Sequence, residues 1–294
     1  MLNITGLSKR YGDIVALDGF GLDAEGGRLL GFLGANGAGK TTTMRAIFGL
    51  IQPDAGQLTW HGNPITGEQR RRFGYMPEQR GLYARIPIAE QLEYFGRLHG
   101  MTKGNASVAA TSMLAELGLN DRRADKLEKL SHGNQQRIQL GVALVHSPDL
   151  LVLDEPFSGL DPLGVATMIE VLRTRAAAGV AVVFSSHQLE LVEDLCDDVV
   201  LISHGRSILH GTIDDVRSRG GRRVAEVSMA DGVNGRPPDI AGSAGELRNG
   251  GVRYDLPQTV TPNEVLTALV GFGTVTAFNF RLPSLTEVFV SVSP

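Results

Sequence analysis

The amino-acid sequence predicts an α/β fold on a parallel sheet, followed by a small α+β unit. Three observations carry that reading. A buried strand at residues 28–33 runs into a glycine-rich turn and then a helix at 41–48. An apolar strand at 150–153, a helix at 163–177 and a second apolar strand at 180–184 follow in order, and that order implies parallel strands joined by a crossover helix. Near Gly211 the composition shifts to the basic, glycine-bearing segment 217–223, the chemistry of a joint between domains. The expected domains are 1–212 and 213–294.

The elements follow from local pattern. Residues 2–7 and 14–22 alternate apolar and polar side chains, as half-buried strands do. The helix at 41–48 is closed by Gly49, and Pro53, Asp54, Ala55 and Gly56 have the chemistry of a turn. Segments 88–98, 106–117 and 135–145 carry apolar residues every three or four positions, which places a helical subdomain at about 85–148. After the joint come a strand at 224–229, a Gly/Pro-rich stretch to Gly251 and a strand at 252–256. A helix at 262–270, a strand at 274–280 and a helix at 284–292 complete the small unit. No solenoid repeat or heptad insertion interrupts the order.

Composition excludes several classes. A chain of 294 residues, 42% hydrophobic and 20% charged, buries a sizeable core and is not of disordered type. Its longest apolar stretch, 176–184, falls far short of the roughly 20 residues that cross a bilayer, and the first ten residues lack the pattern of a signal peptide. One cysteine, Cys196, excludes an intramolecular disulfide and fits a reducing, cytoplasmic setting. A net charge of −4 gives no bulk attraction for nucleic acid, and no nucleic-acid partner is expected.

Glycine is in excess, at 37 residues, and its placement is informative. Gly34, Ala35, Asn36, Gly37, Ala38, Gly39, Lys40 and Thr41 match the phosphate-binding pattern G-x-x-x-x-G-K-[ST] between a strand and a helix. Such a loop turns successive N–H groups inward around an anion, and the helix N-terminus adds partial positive charge. Lys40 is placed for the β- and γ-phosphates, Thr41 for Mg²⁺, and Thr42 continues the cradle. Asp154 at the end of the strand 150–153 is a second Mg²⁺ candidate, and Glu155, one residue on, is placed to polarise an attacking water. A solvated acidic strand end is the bland alternative, which the phosphate loop outweighs.

Further motifs occur in a fixed order: Gln79, then Leu130-Ser131-His132-Gly133-Asn134-Gln135-Gln136-Arg137, then Asp154-Glu155, Ser158-Gly159-Leu160-Asp161 and His187. With the phosphate loop they resemble the ATP-binding subunits of ATP-binding cassette (ABC) transporters, over roughly residues 1–212. The resemblance implies a mixed sheet core with an antiparallel β-subdomain and a helical subdomain. It implies that Tyr11 stacks on adenine, that Gln79 senses Mg²⁺ and water, and that His187 contacts the γ-phosphate. Glu155, His187 and Lys40 are the implied catalytic set, with Thr41, Gln79 and Asp154 at the metal. Ser131, Gly133 and Asn134 belong to the signature segment, which the resemblance implies covers the ATP of a second subunit, and Asp161 is a further implied nucleotide-binding residue. Here His132 and Asn134 depart from the family's usual L-S-G-G-Q.

Leu282-Pro-Ser-Leu-Thr-Glu-Val-Phe-Val290 and Glu78-Gln-Arg-Gly-Leu-Tyr83 resemble the ATPases of ABC-2 type exporters. That implies an ATPase at the cytoplasmic face of the membrane, driving a transmembrane permease of ABC-2 type by closing on a second, identical or paralogous, ATP-binding subunit. The segment Arg80 to Tyr83 would then lie near the membrane partner. An importer ATPase, a non-transport ABC ATPase and a nucleotide-binding regulator remain the alternatives.

Overall fold

The computed structural model describes residues 1–79, 81–230, 236–248 and 251–292. They fall in two compact units, Met1–Gly211 and Thr212–Pro294. Among the described residues no helix is long and apolar enough to cross a membrane.

The first unit opens with the hairpin β1 (Leu2–Tyr11) and β2 (Ile14–Ala24), followed by β3 (Leu29–Leu33) and helix α1 (Lys40–Ile47). Then come β4 (Ala55–Trp60), β5 (Asn63–Pro64), the single-turn α2 (Gly67–Arg70) and β6 (Phe73–Met76). Three helices, α3 (Ile88–Leu98), α4 (Lys103–Glu116) and α5 (His132–Leu144), make the helical subdomain. Strand β7 (Leu150–Leu153), α6 (Pro162–Ala177), β8 (Ala181–Ser185), α7 (Leu189–Leu195), β9 (Asp198–Ser203) and β10 (Arg206–Thr212) finish it.

These strands form two sheets. The antiparallel sheet has the order β2-β1-β4-β5, and the larger one runs β10-β9-β3-β8-β7-β6. In the latter, β9, β3, β8, β7 and β6 pair in parallel. Strands β3, β7 and β8 are buried along their whole length, which is why they read as continuous apolar runs rather than alternating ones. One core joins both sheets and α1: Phe20 and Phe32 lie 5.4 Å apart, with Met44 and Ile47 among their neighbours. Trp60 belongs to the same core, edge-on to Phe73 at 5.1 Å.

Register decides what the sheet presents. Phe32 pairs with Ser185, Phe184 with Leu153, and Leu153 with Met76. The carboxyl ends of β3, β8, β7 and β6 are therefore level, the edge at which such sheets bind ligands.

A pair of stacked histidines fastens the helices to this sheet. His99, just past α3, and His146, just past α5, lie 3.6 Å apart and nearly parallel. They meet the carbonyls of Arg71 and Phe73 at 2.7 and 3.2 Å. Burial, then the neighbouring His99, pushes His146 down to about 4. A histidine whose folded pKa is depressed favours folding fully above its unfolded value near 6.5, and that contribution is lost as pH falls toward 4. Replacing His146 by Phe is expected to remove about 3 kcal/mol of the acid sensitivity in that window, read as a flatter urea midpoint against pH.

In the second unit, α8 (Ile213–Ser218) precedes β11 (Arg222–Met229), β12 (Glu246–Arg248), β13 (Gly251–Pro257), α9 (Pro262–Val270), β14 (Val275–Arg281) and α10 (Leu285–Val292). Its antiparallel sheet has the order β12-β13-β11-β14. The basic segment 217–223, read from sequence as a flexible joint, comprises the end of α8, a turn at 219–221 and the start of β11. Arg217 is fixed there, donating to the carbonyls of Leu282 and Pro283. Glu287 in α10 accepts from Arg281, Arg253 and the Ser284 N–H. Burial would raise its carboxyl, but these donors outweigh it and hold the group at about 2.

Candidate active site

The level strand ends border a cavity of about 570 Å³ lined by Asn36, Gly37, Gly39, Lys40, Thr41 and Thr42 of the phosphate loop, by Asp154, Glu155, Ser158, His187 and Glu78, and by Ile14 and Ala16 of β2. The loop after β3 supplies its floor. Gly39, just before α1, has φ +116°, and a side chain there would strike Ala16 and Leu17; Gly37 has φ +80°. Both conformations are those glycine adopts without strain. Ala35 and Ala38 close the turn through an N–H to carbonyl bond of 3.1 Å. Lys40 is buried, and its ammonium donates to the carbonyls of Gly34 and Ala35 at 2.6 and 3.2 Å.

Opposite lies Asp154, 2% exposed. Its two carboxylate oxygens accept from Thr41 Oγ1 at 2.9 Å and Ser185 Oγ at 2.7 Å. The same Ser185 hydroxyl accepts from the Glu155 N–H at 2.8 Å. Glu155 has φ +51°, a left-handed backbone that costs a side-chain-bearing residue of order 1–3 kcal/mol and persists only where its surroundings enforce it. Its Oε2 lies 2.8 Å from Nδ1 of the exposed His187, the imidazole donating.

Three comparisons with known proteins bear on this site. Residues 17–158 match the family model described as ABC transporter, and residues 211–293 match the C-terminal domain of ATP-binding proteins like DrrA1-3. An uncharacterized ABC transporter ATP-binding protein, YhaQ of Bacillus subtilis (strain 168), is 36% identical over 99% of this chain and 97% of its own length. The chain belongs to the ABC transporter ATP-binding proteins. The Nod factor export ATP-binding protein I of Burkholderia lata is 38% identical over 71% of this chain and 70% of its own. A solved ATP-binding subunit of an ABC transporter superposes with a TM-score of 0.70, at 31% identity over 75% of this chain and 93% of that one. The cassette is thus a P-loop ATPase of ABC fold that binds ATP.

The cassette keeps the remaining predicted residues outside this cavity. Tyr11, the last residue of β1, is exposed with Lys9 Nζ 5.6 Å from its ring centre; across the hairpin, Ile14 and Ala16 reach the cavity wall and Tyr11 does not. Ser131 caps α5 by accepting from the Asn134 N–H at 3.4 Å, with Gly133 packed against Leu160. Asp161 caps α6, accepting from the Gly164 N–H at 2.6 Å. Gln79 turns into a neighbouring cavity with Leu82, Leu127, Glu128 and Gln135. Glu78, passed over in the sequence, lines this second cavity too and is the residue of the pair that also lines the phosphate cavity. Spacing alone does not encode that difference. Arg80 lies outside the described residues; Tyr83 is exposed beside Tyr94, 6.0 Å between ring centres.

Proposed function

We propose that this ABC ATPase energises export through a separate permease of ABC-2 type, in two ATP sites shared with a second copy or a paralogue at the cytoplasmic face of the membrane. The observation that carries the reading is the joining of the phosphate loop to two carboxylates of different environment: Asp154, buried and bonded to Thr41, and Glu155, paired with His187. The C-terminal match to DrrA1-3-like proteins and the likeness to a Nod factor export ATPase support export over import.

In this reading Lys40 exchanges its loop carbonyls for phosphate oxygens, and loop N–H groups from Gly34 to Thr42 hold the rest. Glu155 takes a proton from the attacking water, whose oxygen bonds to the γ-phosphorus. The bond to the bridging oxygen breaks, with its electron pair leaving on ADP, and Lys40 and His187 balance the charge. The oxygens of Thr41 and Asp154, 2.9 Å apart, with Glu78 nearby, are the hard donors Mg²⁺ takes in ones and twos alongside phosphates; when bound it neutralises phosphate charge. Tyr11 is the candidate adenine contact. Ser131, Gly133 and Asn134, which lie off this cavity, serve the ATP of the second subunit, and Asp161, also off it, is a further nucleotide-binding residue.

Size-exclusion chromatography of the Glu155→Gln chain tests the paired site. With ATP and Mg²⁺ it is expected to elute at twice the mass seen with ADP. A monomer under both conditions overturns the two-subunit reading.

A further inference from the structure

The left-handed backbone of Glu155 is held on both sides. Ser185 accepts from its N–H. On the other side the side-chain amide of Gln136 donates to the carbonyls of Glu155 and Pro156 at 3.3 and 3.2 Å. Gln136 is 3% exposed and lies on α5 less than two turns from its cap, Ser131. One turn further, the equally buried Gln139 donates to the carbonyl of Pro77 at 2.6 Å, the residue before Glu78. One helix face thus grips the backbone of both loops that bring an acid to the phosphate cavity. Neither glutamine lines that cavity, so neither belongs to the direct chemistry.

We propose that Gln136 is a positioning residue for ATP hydrolysis. It fixes the strained conformation that aims the Glu155 carboxylate, and it ties that carboxylate to the helix beginning at Ser131. A shift of the helix N-terminus is thereby transmitted to the base through two hydrogen bonds. The inference rests on the reading of Glu155 as base.

Three variants of the full chain test it: Gln136→Met, Gln136→Glu and, as reference, Glu155→Gln. Methionine keeps the volume without a donor. Glutamate keeps the shape, but facing two carbonyls it donates only when protonated, and burial raises the pH at which it protonates. Both Gln136 variants are expected to bind ATP within about twofold of the unmodified chain while hydrolysing it about 10- to 100-fold more slowly. The rate of Gln136→Glu relative to the unmodified chain is expected to recover as pH is lowered from about 8 to about 6, whereas that of Gln136→Met stays flat. Unchanged rates, a parallel loss of affinity, or no pH recovery each overturn the assignment when Glu155→Gln is inactive. Full turnover by Glu155→Gln instead removes the base reading beneath it.

Discussion

Glutamine at position 155 is expected to leave ATP bound and to lower the rate of phosphate release about 10²–10⁴-fold, the usual contribution of a positioned general base. The geometry makes the substitution clean. The backbone bonds to Ser185 and Gln136 do not involve the side chain, so the amide inherits the same position and loses the basicity. Its contact with His187 survives in altered form, because an amide oxygen still accepts from the imidazole. Equal rates in both proteins would transfer the proton-accepting role elsewhere, with His187 the nearest group at 2.8 Å.

Methionine in place of Lys40 is expected to weaken ATP binding about 100-fold, read by titration with a fluorescent ATP analogue. The phosphates lose a charge-assisted donor, about 1.5–3 kcal/mol, whereas the ammonium's bonds to the Gly34 and Ala35 carbonyls are given up on ATP binding in the unmodified chain and add nothing to the loss. ADP is expected to suffer less than ATP, because it lacks the γ-phosphate. An affinity unchanged by the substitution would mean that loop N–H groups alone hold the nucleotide.

Most of the fold was legible wherever burial on both faces leaves an apolar run, as in β7 and β8, or burial on one face leaves a helical stripe, as in α3. Strand β6 was not. Phe73-Gly74-Tyr75-Met76 is four residues with a glycine inside, and its strand character comes from pairing with β7. Strand β9 was missed as well; its apolar Val199, Val200, Leu201 and Ile202 follow two acids, which are spent on Arg28 and the Leu29 N–H. The phosphate loop was readable because its chemistry is contiguous. Ser185 was not, since its hydroxyl acts 31 positions from Asp154. Nor was Gln136, 19 positions from Glu155. Side-chain bonds of that span leave no local pattern.

The placement of Trp60 sets what light emission from this protein reports. It is the sole tryptophan, sealed against Phe73 and His61, and does not line the phosphate cavity. Its fluorescence is a gauge of whether the antiparallel sheet remains seated on β6, and so of unfolding. Optical detection of nucleotide needs an indole brought in by design, for which the exposed rim at Tyr11 is the natural address.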